Sequence, residues 1–107
     1  WAALHRFCTY DGYTEDSRAV KWFWSIFDAM PDSERVKFLK FATGTDRAPL
    51  GGLGSIKLVI QRGADVHRLP VSHTCFNIFV LPDYKSKEIM RHKLYLAIDN
   101  TEGFGFV

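Results

Sequence analysis

Apolar positions recur at helical spacing twice in the first half of the chain and at strand spacing in the second, and this change of period predicts the elements. After the turn signal Asp11-Gly12-Tyr13, the residues Val20, Phe23, Trp24 and Phe27 repeat at intervals of three and four. That is the mark of an amphipathic helix, which Asp16 or Ser17 can cap. Trp22 and Ile26 fall on a second face, so this helix is expected to be buried on more than one side. Met30-Pro31-Asp32-Ser33 closes it and starts another, with Asp32 or Ser33 as N-cap. Val36, Leu39 and Ala42 share a face of the second helix, Phe38 and Phe41 widen it, and Gly44 is the expected stop.

Residues 44–55, with Pro49, Gly51, Gly52 and Gly54, read as loop. Ile56, Leu58 and Ile60 then alternate with Lys57, Val59 and Gln61, which predicts a strand, and Gly63-Ala64-Asp65 turns the chain. From Cys75 to Leu81 both alternating faces are apolar apart from Asn77, as in an interior strand. Pro82-Asp83-Tyr84 ends it, and Ser86 caps a last helix whose inner face is Met90, Leu94, Ala97 and Ile98. Asn100-Thr101-Glu102-Gly103 stops that helix before the tail Phe104-Gly105-Phe106-Val107. The expected architecture is α+β, with helices packed around a small, mostly antiparallel sheet whose strands lie chiefly in the second half.

A chain of 107 residues can build one core but not two independent ones, so residues 1–107 are read as a single domain. Hydrophobic and aromatic fractions of 47% and 15% exclude a disordered segment. The net charge is only +2, with basic residues scattered among acids, so no nucleic-acid partner is expected. No apolar run approaches bilayer length, so no membrane partner is expected either. Cys8 and Cys75 are too few for a disulfide scaffold. A single bridge between them stays open, but a reduced, intracellular protein is the expectation. His5, Cys8, His67, His73, Cys75 and His92 lack the short paired spacings of a structural zinc site, so no metal and no cofactor is expected. The abrupt aromatic start at Trp1 reads as a cut through a longer protein.

Candidate chemistry gathers in Ser72-His73-Thr74-Cys75-Phe76-Asn77, where the extended segment Leu69-Pro70-Val71 leads into the apolar strand. Residues two apart in an extended segment point the same way, so His73 can lie near the Cys75 thiol and favour its thiolate. The competing reading is a small core hydrophobe, since free cysteine is among the most buried residue types. The polar neighbours Ser72, Thr74 and Asn77 weigh against it. A third group to orient His73, as a hydrolase wants, is missing. Gly51-Gly52-Leu53-Gly54-Ser55 lacks the lysine and hydroxyl of a phosphate loop and leads into a strand, so it reads as a turn. Lys85, Lys87, Arg91 and Lys93 read as the solvated face of the last helix, and His5, His67 and His92 as surface. Phe104 and Phe106 should dock on something, in this chain or a partner.

Gly12-Tyr13-Thr14, Trp22-Phe23-Trp24, the run from Phe38 to Gly54, the run from Leu69 to Asn77 and Glu102-Gly103-Phe104-Gly105 follow one another along the chain. Their order resembles the C-terminal lobe of HECT-type ubiquitin ligases over essentially its whole length. The resemblance implies that Cys75 accepts ubiquitin as a thioester from a conjugating enzyme and passes it to a lysine of a substrate protein. Ubiquitin, the conjugating enzyme and the substrate are the implied partners, in the cytoplasm with the nucleus also open. By the same match His73, Thr74 and Asn77 shape the thioester site, and Phe104, fourth from the C-terminus, supports transfer to lysine. Val107 would then be the natural end.

Exchange between thioesters is nearly isoenergetic, so the thiolate mainly needs access and alignment, and the missing third group is no objection. Lysine must lose a proton before it attacks. Asp99 and Glu102 are candidate acids for that step by nearness to the tail. The family's catalytic domain also has a larger N-terminal lobe, joined by a flexible hinge, that recruits the conjugating enzyme. Neither part is in this chain, so the lobe alone is expected to load poorly. The ending Phe106-Val107 departs from the polar or acidic ends of some members, so no linkage preference is carried over. Two rival functions are a thiol hydrolase built on His73 and Cys75 and a ubiquitin-binding module without chemistry.

Overall fold

The computed structural model describes residues 1–47 and 49–99. Helices α2 (Arg18–Ala29), α3 (Asp32–Thr43) and α4 (Lys87–Asp99) form where the apolar periodicity predicts them. Ahead of them lie two elements absent from the sequence expectation, α1 (Ala2–Arg6) and β1 (Thr9–Asp11). Stretches this short carry no readable period. Tertiary contacts hold them instead. Leu4 is buried, and the Trp1 ring meets Phe27 edge-on at 5.7 Å. His5 stacks on Trp24 at 4.1 Å, while Trp24 Nε1 donates to the Tyr10 hydroxyl at 3.2 Å.

The helix ends refine the expected caps. Ser17 holds the cap position of α2, but its Oγ accepts the Thr14 N–H at 2.9 Å rather than an amide of the helix. At α3 the cap position falls on Pro31, one residue before Asp32, whose carboxylate instead pairs with Arg35 at 3.1 Å in the first turn. Proline's extended backbone and missing N–H suit that boundary. The Arg35 guanidinium also donates to the carbonyls of Phe27 (3.0 Å) and Asp28 (2.6 Å) at the end of α2. Gly44 ends α3 in the left-handed conformation at φ +83°, and Ser86 Oγ accepts the Ile89 N–H at 3.1 Å to cap α4, both as expected.

Strands β2 (Val59–Gly63), β3 (Val71–His73) and β4 (Ile78–Pro82) complete a sheet in the order β1-β2-β4-β3. The expectation of a mostly antiparallel sheet is corrected. β1–β2 and β2–β4 are parallel, and β3–β4 alone is antiparallel. A helical crossover through α2 and α3 joins β1 to β2, and such a connection returns the chain in the same direction. Alternation reveals which residues face inward, not which way a neighbour runs. Accordingly Ile56, Leu58 and Ile60 are all buried as the pattern predicts, yet β2 starts only at Val59. Before it the chain leaves a 3₁₀ turn at Leu53–Ser55 and passes through Lys57 at φ +54°.

The helices cover the sheet face that carries Ile60, Phe79 and Leu81, all fully buried. Phe79 is in the interior strand, and its ring lies 5.3 Å from Phe23, 5.0 Å from Phe38 and 6.1 Å from Phe41. Such offset and edge contacts add stabilisation beyond the burial of area. On α3 the buried set is Phe38, Leu39 and Ala42, with Val36 half-buried, so the apolar face is turned slightly from the one expected. Met90, Leu94, Ala97 and Ile98 line the inner face of α4 as predicted. Phe79→Ala is expected to lower unfolding free energy by about 3–5 kcal/mol, read as a drop in urea midpoint without loss of two-state behaviour.

Candidate functional site

Cys75 does not begin a strand. It sits in the middle of a 3₁₀ turn at Thr74–Phe76 that joins β3 to β4, and its side chain is exposed and free. The core-hydrophobe reading therefore fails for Cys75 and applies to Cys8, which is buried and also free. Both thiols being free, the bridge left open by the sequence is not formed. Burial pushes the Cys8 thiol up to about 12, partly offset by hydrogen bonds with Tyr10 and the Ile60 backbone.

The turn is tied down on three sides. Asn77 N–H closes it onto the Thr74 carbonyl at 3.3 Å, and Asn77 itself takes the left-handed conformation at φ +54°. Its Nδ2 donates to the Ile56 carbonyl at 2.8 Å, and its own carbonyl accepts the Val59 N–H at 2.9 Å. Asparagine tolerates that backbone region better than most residues, so one residue permits the bend and fastens it, through its side chain to Ile56 and through its carbonyl to the start of β2. On the far side Thr74 lies against the end of α3, where a Cβ at Gly44 would sit 3.5 Å from Thr74 Cβ. Phe76, directly after the cysteine, is 73% exposed.

His73 ends β3, paired across the strands with Ile78, and its side chain is exposed. The extended backbone ends there, and the chain coils from Thr74. Among the described residues no hydrogen bond joins His73 to Cys75. Asp99 is engaged by Lys37 of α3 at 3.3 Å. Glu102, Phe104 and Phe106 lie outside the described residues. His5 departs from a plain surface role through its stacking on Trp24. No group of three or more His, Cys, Asp or Glu among the described residues is arranged to hold a metal ion, and no described helix is long and apolar enough to cross a membrane.

A groove of about 420 Å³ borders the cysteine turn, lined by Thr43, Thr45, Arg47, Ser55, Ile56 and Asn77. Sequence reasoning gave its threonines and arginine no role, although they belong to the run from Phe38 to Gly54 that carried the resemblance. These residues are held locally: at the end of α3 Thr43 Oγ1 donates to the Leu39 carbonyl at 2.7 Å, and beyond it the Arg47 N–H donates to Thr45 Oγ1 at 3.2 Å.

These features define a small α+β domain that displays one thiol on an anchored turn at the end of its sheet. The family model "HECT-domain (ubiquitin-transferase)" matches residues 1–107, and the chain belongs to that family. It is 46% identical over 109 residues to "Probable E3 ubiquitin-protein ligase HERC4" of Mus musculus, an alignment covering 100% of this chain and 10% of that protein. To "Probable E3 ubiquitin-protein ligase HECTD2" of Homo sapiens it is 42% identical over 104 residues, 96% of this chain and 13% of the relative. To "E3 ubiquitin-protein ligase pub3" of Schizosaccharomyces pombe it is 43% identical over 103 residues, 90% of this chain and 13% of the relative. The chain thus spans about a tenth of the length of the curated relatives it matches.

At pH 8, iodoacetamide should modify Cys75 and spare Cys8, whose thiol at about 12 is ionised in only about one molecule in ten thousand. Peptide mapping before and after unfolding reads the difference. Asn77→Gly keeps the backbone bend but loses the bond to Ile56, and is expected to cost about 1 kcal/mol. Asn77→Ala adds about 1 kcal/mol of backbone strain in the same denaturation assay.

Proposed function

We propose that this chain is the C-terminal catalytic lobe of a HECT-type ubiquitin-protein ligase, with Cys75 as the acceptor of ubiquitin. In the first step the Cys75 thiolate attacks the thioester carbonyl that joins ubiquitin to a conjugating enzyme. A new C–S bond forms, the old one breaks, and the conjugating enzyme leaves as its thiolate. In the second step an unprotonated lysine amine of the substrate attacks the new thioester. The amide forms, the Cys75 C–S bond breaks, and the proton shed by the amine balances the regenerated thiol.

The observation that carries this reading is the exposure of Cys75 on a turn fastened by Asn77, in a chain of the HECT family. Transthiolation asks for access and alignment more than for a strong base, and the exposed thiol on a fastened turn supports this reading. Asn77 and Thr74 are assigned to holding the turn, and His73 to hydrogen bonding at its rim rather than to general-base work. Phe104 is assigned to supporting lysine attack. Because Lys37 engages Asp99, Glu102 is the preferred of the two candidate acids. The conjugating enzyme would be recruited by an N-terminal lobe elsewhere in a longer protein.

In a chain that includes such a lobe, incubation with ubiquitin, its activating enzyme and a conjugating enzyme should give a ubiquitin adduct that thiol reductant removes. Cys75→Ala should abolish it and Cys8→Ala should leave it. Cys75→Ser should form an oxygen ester more slowly, resistant to reductant and cleaved by hydroxide. An adduct that survives Cys75→Ala would sink the assignment. Ubiquitin binding with no adduct in any variant would favour the binding module, and hydrolysis of a simple thioester by the isolated lobe would favour the hydrolase.

A further inference from the structure

At the far end of the sheet from Cys75, the loop after β2 and the first half of α4 enclose a cleft of about 480 Å³. β4 separates the two places. Cys75 precedes its first residue, while the loop leaves from Gly63, paired with Pro82 at its last, a span of about 16 Å for five residues. Val66 and Ile89 supply apolar walls, and Ile89 is 43% exposed. Lys85, Lys93, His67 and His92 surround them, against a single carboxylate, Glu88.

The cleft is already shaped. Tyr84, fully buried, donates its hydroxyl to the Arg68 carbonyl and pins the loop to the core. Lys93 Nζ donates to the His67 carbonyl at 3.1 Å and ties the loop to α4. Asp65 accepts the His67 N–H through Oδ1 at 2.9 Å and the Arg68 N–H through its carbonyl at 3.2 Å. A cavity within the usual range of about 300–1,000 Å³ whose walls need no ordering binds at low entropic cost.

We propose that this cleft docks an acidic peptide segment of a protein partner, with an aliphatic side chain between Val66 and Ile89 and flanking carboxylates held by Lys85 and Lys93. Two lysines against one glutamate leave a net positive rim before either histidine is counted, so a basic segment is repelled. Occupancy leaves the cysteine turn open at the other end of the sheet. The proposal goes beyond the acyl-transfer reading and does not depend on it.

The test titrates the N-acetylated, C-amidated pentapeptide Glu-Glu-Leu-Asp-Glu into the isotope-labelled chain and follows backbone amide shifts by NMR. Saturable shifts are expected at residues 66–68 and 85–93, with those of the cysteine turn unmoved. Lys85→Glu, at an exposed position, should weaken binding by roughly fivefold while the rest of the spectrum stays unchanged. A peptide with lysines in place of the acids should give no saturable shift. The proposal is overturned by an absence of saturable shifts, by shifts centred elsewhere, by equal affinity for the basic peptide, or by unchanged affinity in Lys85→Glu. It is equally overturned if phosphatidylserine vesicles, and not the peptide, perturb this face.

Discussion

The pairing of β4 between β2 and β3 is the constraint on which the other features rest. It sets Phe79 into the aromatic cluster with Phe23 and Phe38, so α2 and α3 are packed against one interior strand. It also fixes where β4 begins, and hence where the chain must turn after β3. A full aromatic side chain buried in the middle of a sheet contributes on the order of 1.5–3 kcal/mol by area alone, and it cannot slide by one residue without moving to the opposite face. The position of the exposed cysteine is therefore inherited from the core.

Asn77 links that core to the surface. It ends the cysteine turn in a left-handed conformation and bonds to both sides of the start of β2. Thr74 meets the end of α3 near Gly44, itself left-handed, so two unusual backbone positions flank the thiol. A thiol on such a turn is presented without being buried. This is the arrangement that the proposed passage of ubiquitin from one sulfur to another requires. The two cysteines illustrate how environment separates equal chemistries: burial holds Cys8 as a protonated core thiol, whereas Cys75 faces solvent.

The three longer helices, the inward residues of α4, the Gly44 stop and the Ser86 cap were legible from period and capping chemistry alone. What was not legible has a common physical cause. α1 and β1 are too short to display a period and exist through contacts with Phe27, Trp24 and β2, which are remote in sequence. The groove residues Thr43, Thr45 and Arg47 line one groove with Asn77, which is remote from them in sequence. The coil at Thr74 was likewise hidden, because alternation along the sequence cannot show where an extended backbone gives way to a 3₁₀ turn.

Local sequence thus determined the three longer helices, most of their inward residues, and, through ordered motifs, membership of the HECT family. Tertiary structure alone decided the direction of the strands, the exposure of Cys75 against the burial of Cys8, and the union of Asn77 with Ile56 and Val59. The reason is one of range. Helical period and capping are set by residues three or four apart, whereas the parallel pairing and solvent access depend on segments remote in sequence brought together by a shared core.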